Sequence, residues 1–275
     1  MFRLLQELRF RRNGILGWGI GISLLPLMYI TIWPQFAEQM ESFEELMDLA
    51  IYQAMGISMA DFEGYAASTV INIAPVIVGI YAIINSTGTL AGEEDDGRLE
   101  LIVTLPVPRW QIVATKAIAT GIALFLVLLI IGVVSAGSLA MISGQVDTIV
   151  TPWDFFLAVI AAWPLVLATA MIGFFFGAFA PSRRIAALLT TAVFLLSYFG
   201  NNLAGLLTSL ETIQPFFPHY YLDATANVLL NGPHASDLLI LLAVALVFFL
   251  LALLFFQWRN LTVHAWPWQR GKLPA

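Results

Sequence analysis

The sequence predicts an all-α integral membrane protein, a bundle of six transmembrane helices with both termini on the inner side. Three observations carry this. Of the 275 residues, 60% are hydrophobic and only 11% charged, and the mean hydropathy is +0.86. A water-soluble chain is nearer half apolar and a quarter charged, so these few charges cannot cover a surface facing water. The apolar residues also fall in six long runs, at 14–33, 65–87, 112–142, 153–179, 185–207 and 238–256. A helical pass through about 30 Å of hydrocarbon needs roughly 20 such residues, whereas a barrel strand needs about ten that alternate with period two. Finally, with both termini inside, all 12 Lys and Arg residues fall on inner segments. That is the positive-inside pattern, and a missed span would scramble it.

The same composition excludes several classes. With Cys at 0 there is no disulfide framework, thiolate metal site or cysteine nucleophile. A net charge of -6 argues against nucleic acid as a partner, which requires a basic face. Residues 1–275 read as a single transmembrane domain whose constant partner is the lipid bilayer.

Residues 1–12 set Phe2, Leu4, Leu5, Leu8 and Phe10 among Arg3, Arg9, Arg11 and Arg12. This suits a short helix lying at the inner interface, or a basic flank with no further role. The first apolar run contains Trp18 and Pro26 and leads into Trp33-Pro34-Gln35, so it reads as a span rather than a cleaved leader. The outer segment 34–64 repeats Phe36, Met40, Phe43, Met47, Ile51 and Ala54 at helical spacing, with acidic residues between, which predicts an amphipathic helix on the outer mouth. The third run is long enough to tilt or to project beyond the bilayer. Between the last two runs, residues 214–221 are aromatic and broken by Pro215 and Pro218, which suits a re-entrant element or an interfacial loop.

No charged residue lies at depth in these runs, and Lys116 sits only near the inner end of the third. Ion-coupled carriers usually keep such a group within the membrane. The polar candidates at depth are Asn72, Asn85, Ser86, Ser135, Thr169, Thr190 and Ser197. Interhelical hydrogen bonding is their expected role, with substrate contact the alternative. The pairs Gly17/Gly21 and Gly173/Gly177 read as close helix packing. His219, His234 and His264 are scattered, so no metal site is expected. A phosphate loop is missing as well. The sole Gly-Lys pair, Gly271-Lys272, has Trp266 in place of the first glycine and Leu273 in place of the hydroxyl. Any uphill transport must draw its energy from a partner, and the chain itself is not expected to be an enzyme.

One inner segment departs from the basic pattern. Residues 91–109 hold Glu93, Glu94, Asp95, Asp96 and Glu100 against Arg98 and Arg109. Acidic groups beside an anionic leaflet are electrostatically unfavourable, so this segment suits a protein neighbour better than lipid. After Gly97, the residues Leu99, Ile102 and Val103 share a helical face, and Pro106 and Pro108 stop the run.

The segment Ala91-Gly92-Glu93-Glu94-Asp95-Asp96-Gly97-Arg98-Leu99-Glu100-Leu101, followed by Leu105-Pro106-Val107-Pro108-Arg109, resembles the inner loop of the membrane permease subunits of type-2 ABC exporters. It departs at Arg98, where Thr is common, and at Pro108, where Ser is common. The resemblance extends to the amphipathic N-terminus, six spans, a sizeable first outer segment and the broken aromatic stretch. It implies that 91–109 is a cytosolic coupling helix seated on a separate ABC ATP-binding subunit. The coupling residues would be Glu93, Glu94, Asp95, Asp96, Gly97, Arg98, Leu99, Glu100, Leu101, Pro106 and Arg109. It also implies a second permease subunit, as homo- or heterodimer, and two ATP-binding subunits that hold ATP and Mg, with no cofactor in this chain. A multi-pass protein of a prokaryotic plasma membrane follows from the same likeness. Asn72, Asn85, Gly173 and Gly177 are the candidates for the pathway or for helix packing. The competing reading is a secondary carrier or channel not driven by ATP.

Overall fold

Six helical passes, each long and apolar enough to cross a membrane, follow one another in the computed structural model, which describes residues 2–37, 61–95, 108–222 and 224–258. Residues 38–60 of the predicted outer helix lie outside the described residues. So do Asp96, Gly97, Arg98, Leu99, Glu100, Leu101 and Pro106 of the acidic loop.

The first pass is α1 (Phe2–Ala37), one helix from end to end. This corrects the expectation of a separate interfacial helix at 1–12: those residues continue the first span. Leu4, Glu7, Arg11, Ile15, Trp18 and Ile22 recur at helical spacing and turn toward the bundle, while Leu5, Phe10, Leu16 and Ile20 face outward. A stripe that holds through the boundary leaves no reason for the axis to turn there.

The second pass begins with α2 (Phe62–Ala66), capped by Asp61, whose carboxylate accepts from the Gly64 N–H at 2.7 Å. A π turn (Ala67–Ile71) follows and then α3 (Ile73–Thr89). Pro75 explains the irregularity. Its ring has no N–H for the Ile71 carbonyl and would crowd it, and the chain widens by one residue just upstream. α4 (Ala91–Asp95) carries the chain off the inner end of this pass. The third pass is α5 (Arg109–Ile142). The fourth is broken: α6 (Pro152–Ile160), held by a reciprocal Thr151/Asp154 capping box, gives way to α7 (Trp163–Phe179). Pro164 is the cause, since it cannot donate to the Ile160 carbonyl. The fifth pass is α8 (Arg183–Leu206) and the sixth α10 (Ala235–Gln257), with short α9 (Ala226–Asn231) between them.

α3 and α7 form the centre, and α5 lies between α1 and α10. Around α3, close approach is set by two glycines. A Cβ on Gly79 would stand 2.6 Å from the Phe194 ring, and one on Gly173 would overlap Ser86. Gly17 and Gly21 correct the sequence reading, because nothing lies within 4 Å of either and both face outward. The first span packs instead at Gly19, against Ile130 of α5.

The aromatic stretch after α8 forms two 3₁₀ turns, Thr208–Phe216 and Pro218–Tyr221, that fold back along α8. His219 reaches Ser197, nine residues before the end of that helix, and at 1.5 Å per residue this is a return of roughly 14 Å.

Candidate functional site at the inner end of the bundle

The inner ends of the first three passes meet around one buried cation. Lys116, in the second turn of α5, is only 3% exposed. Its Nζ lies 2.7 Å from Glu93 Oε1, on α4, and 3.1 Å from Glu7 Oε1, on α1. An ammonium removed from water costs several kcal/mol unless it is paired, and two carboxylates supply the pairing here. Next to it, Arg11 donates from Nη1 to Asn85 Oδ1 at 2.8 Å and from Nη2 to Thr89 Oγ1 at 3.0 Å. Its Nε stands 3.8 Å from Glu7 Oε2, within reach of the charge but too far for a hydrogen bond. Two polar atoms of this cluster, Arg11 Nε and Glu93 Oε2, are buried with no hydrogen-bond partner among the described residues. The groups form a ring in which α1, α3, α4 and α5 are tied by charge rather than by apolar contact alone.

A second tie holds the other flank of α4. The Arg183 backbone N–H, at the start of α8, donates to Asp95 Oδ2 at 3.0 Å. The Arg183 side chain lies over Gly88 and Gly92, where an added Cβ would come within 3.2 and 3.1 Å of it. The acidic segment is thus gripped at its root on both sides, by Lys116 and by Arg183, while Asp95 itself is exposed.

Of the coupling residues expected from the sequence, the structure places Glu93 inward, against Lys116, and Asp95 at the surface beside α8. Arg109 opens α5. Glu94 follows Glu93 within α4. Two participants, Lys116 and Glu7, lie outside the coupling residues that the sequence suggests. Lys116 sits near a span end, and Glu7 lies within a basic stretch. The signal was present: Glu7 and Arg11 are spaced i, i+4, in register with Leu4, Ile15 and Trp18 on the inward stripe.

Four of the polar residues at depth play a different part from the interhelical one expected. Ser86, Ser135, Thr169 and Thr190 each donate to a carbonyl of their own helix, three or four residues back. A short hydroxyl reaches that carbonyl without ordering any second element, which is why the local bond wins over an interhelical one. Asn85 and Ser197 do bridge elements, to Arg11 and to His219. Asn72 is half-buried just after the π turn, Gly173 abuts Ser86, and Gly177 makes an ordinary contact with Leu90 at 3.6 Å. At mid-span, an apolar groove of about 410 Å³ opens between α5, α7 and α10, lined among others by Gly121, Trp163, Met171, Leu242 and Phe249. Trp163 Nε1 donates to the Gly121 carbonyl at 3.0 Å, which leaves the indole faces to the groove.

A bundle of six membrane-length helices, with the ion pairs among the described residues gathered at one end, has the architecture of a multi-pass membrane protein. Residues 4–261 match the family described as ABC-2 family transporter protein, and the chain belongs to that family. It is a membrane transport subunit of the ABC class, which associates with an ABC ATP-binding subunit and is not itself the ATPase. No match was found among curated proteins.

Proposed function

We propose that this chain is the permease of an ATP-driven exporter, in which two permease subunits form the pathway over two cytosolic ATP-binding subunits. The family match over residues 4–261 carries this reading. The acidic composition of residues 91–109, which follow the second span, supports it, because an anionic leaflet would repel such a segment. In this reading, residues 91–109 are the contact with the ATP-binding subunit, which holds ATP and Mg, and this chain carries no cofactor. The protein resides in a prokaryotic plasma membrane. Its cargo is hydrophobic or amphipathic, in keeping with spans that offer apolar and weakly polar side chains and an apolar groove open at mid-span.

Affinity purification from the native membrane tests the proposal directly. The tagged chain should bring down an ATP-binding protein that carries a phosphate loop. The permease alone should hydrolyse no ATP in proteoliposomes, and the recovered complex should hydrolyse it. Solute movement by the permease alone, driven by an ion gradient, would contradict the reading.

A further inference from the structure

We propose that Lys116 is a positioning residue for transport: it ties Glu93, the first carboxylate of the acidic inner segment, to the first and third spans, so that displacement of that segment by the ATP-binding subunit is delivered to them. The inference rests on the permease reading.

The geometry argues for a joint rather than passive glue. Glu7 and Glu93 lie 109 and 23 residues from Lys116 in the chain, on α1 and α4, and one ammonium holds both. A lysine presents three rotatable donors on a flexible stem, so it can follow a moving carboxylate. The ring is also incompletely satisfied. Glu93 Oε2 is an open acceptor and Arg11 Nε an open donor, both buried, and Arg11 already feels the charges of Glu7 and Glu93. A buried unpaired donor and acceptor are each costly, and bringing them together would relieve both. The cluster therefore offers Glu93 two resting places, on Lys116 or on Arg11 Nε. A discrete exchange of this kind is the two-state element that transmission between distant sites requires. Asp95, held by the Arg183 N–H, is the pivot on the other flank.

The test uses the complete permease with the ATP-binding protein it captures, reconstituted in nanodiscs. Because the chain has no cysteine, Gln35→Cys and Ser236→Cys place spin labels at the outer ends of the first and sixth spans, one helix tied to the joint and one not. ATP with vanadate should shift the distance between the labels. In Lys116→Met and in Glu93→Gln that shift should be lost while ATP turnover persists, and Lys116→Arg should restore it. Should Lys116→Met fail to accumulate, the near-isosteric Glu93→Gln decides. A full shift in Glu93→Gln or Lys116→Met overturns the proposal. So does a wild-type complex that turns over ATP with no shift, or a variant that loses ATP turnover together with the shift. Failure of the wild-type chain to capture any ATP-binding protein would instead overturn the permease reading.

Discussion

Ser197 and His219 show how much one side chain can fix in an otherwise apolar bundle. The Ser197 hydroxyl accepts from the His219 backbone N–H at 3.1 Å and also hydrogen-bonds His219 Nδ1, 2.7 Å away, in a direction set by the ring tautomer. The other ring nitrogen, Nε2, is buried without a partner among the described residues. The ring is edge-on to Phe194 and Tyr198, with no carboxylate among these neighbours to favour an imidazolium. Burial accordingly pushes His219 down from 6.5 to about 4. The sign follows: the released segment takes up a proton more readily than the docked one, so docking is fully stable above about pH 6.5 and weakens progressively as pH falls toward 4. A single cysteine at Val193, which lines the small pocket beneath His219, reports this. Relative to a control at Ser236→Cys, an impermeant thiol reagent should modify it faster at about pH 5 than at about pH 7.5. His219→Asn should abolish that dependence. Ser197→Ala removes the partner of two buried polar groups and should cost about 1–3 kcal/mol for each, read as faster modification of Val193→Cys at every pH.

At the scale of elements, small residues separate into those that set helix spacing and those that do not. Gly173 belongs to the first kind. An added Cβ would stand 2.9 Å from Ser86 Cβ, an atom fixed to the α3 backbone that cannot rotate aside. Gly173→Ala should therefore destabilise the α3–α7 contact by about 1–3 kcal/mol. Gly17→Ala meets nothing within 4 Å and replaces the most flexible residue inside a helix, so it should be neutral or stabilise by up to about 1 kcal/mol. Denaturant titration of the two variants in one detergent makes the comparison. Spacing by four could not tell these pairs apart, since it records that two glycines share a face and says nothing of what the face meets. Existence of the six passes was legible because a hydrocarbon slab imposes a length and a composition. The breaks in the second and fourth passes were not foreseen: Pro75 and Pro164 lie inside apolar runs that read as continuous, and the form of each break depends on which carbonyl is orphaned. Least legible was the ring around Lys116. Its members are 109 and 23 residues apart, and no local period announces a partner across the bundle.

The whole molecule separates its charges by end, and orientation follows from that separation. Arg9, Arg11, Arg12, Arg109, Lys116, Arg183 and Arg184 stand at the ends of helices that meet around α4, where Glu7, Glu93 and Asp95 answer part of their charge. The opposite end carries Asp61, Asp147, Asp154, Glu211 and Asp237 without a described Lys or Arg. There Glu63 bonds Thr148 at 2.5 Å, joining the start of the second pass to the segment after the third. Lys and Arg resist translocation and acidic residues hardly affect it, so the basic end should be cytosolic. The cysteine-free chain makes this measurable without altering a native thiol. Ser236→Cys, exposed at the start of α10, should react with a membrane-impermeant maleimide in intact cells. Arg184→Cys, exposed in the first turn of α8, should react only after the membrane is opened, and it spares the Ser182 hydroxyl that caps that helix. Labelling of Arg184→Cys in sealed cells, with Ser236→Cys protected, would invert the topology. The ring around Lys116 would then face away from any cytosolic ATP-binding subunit, and both the permease reading and the joint would fall together.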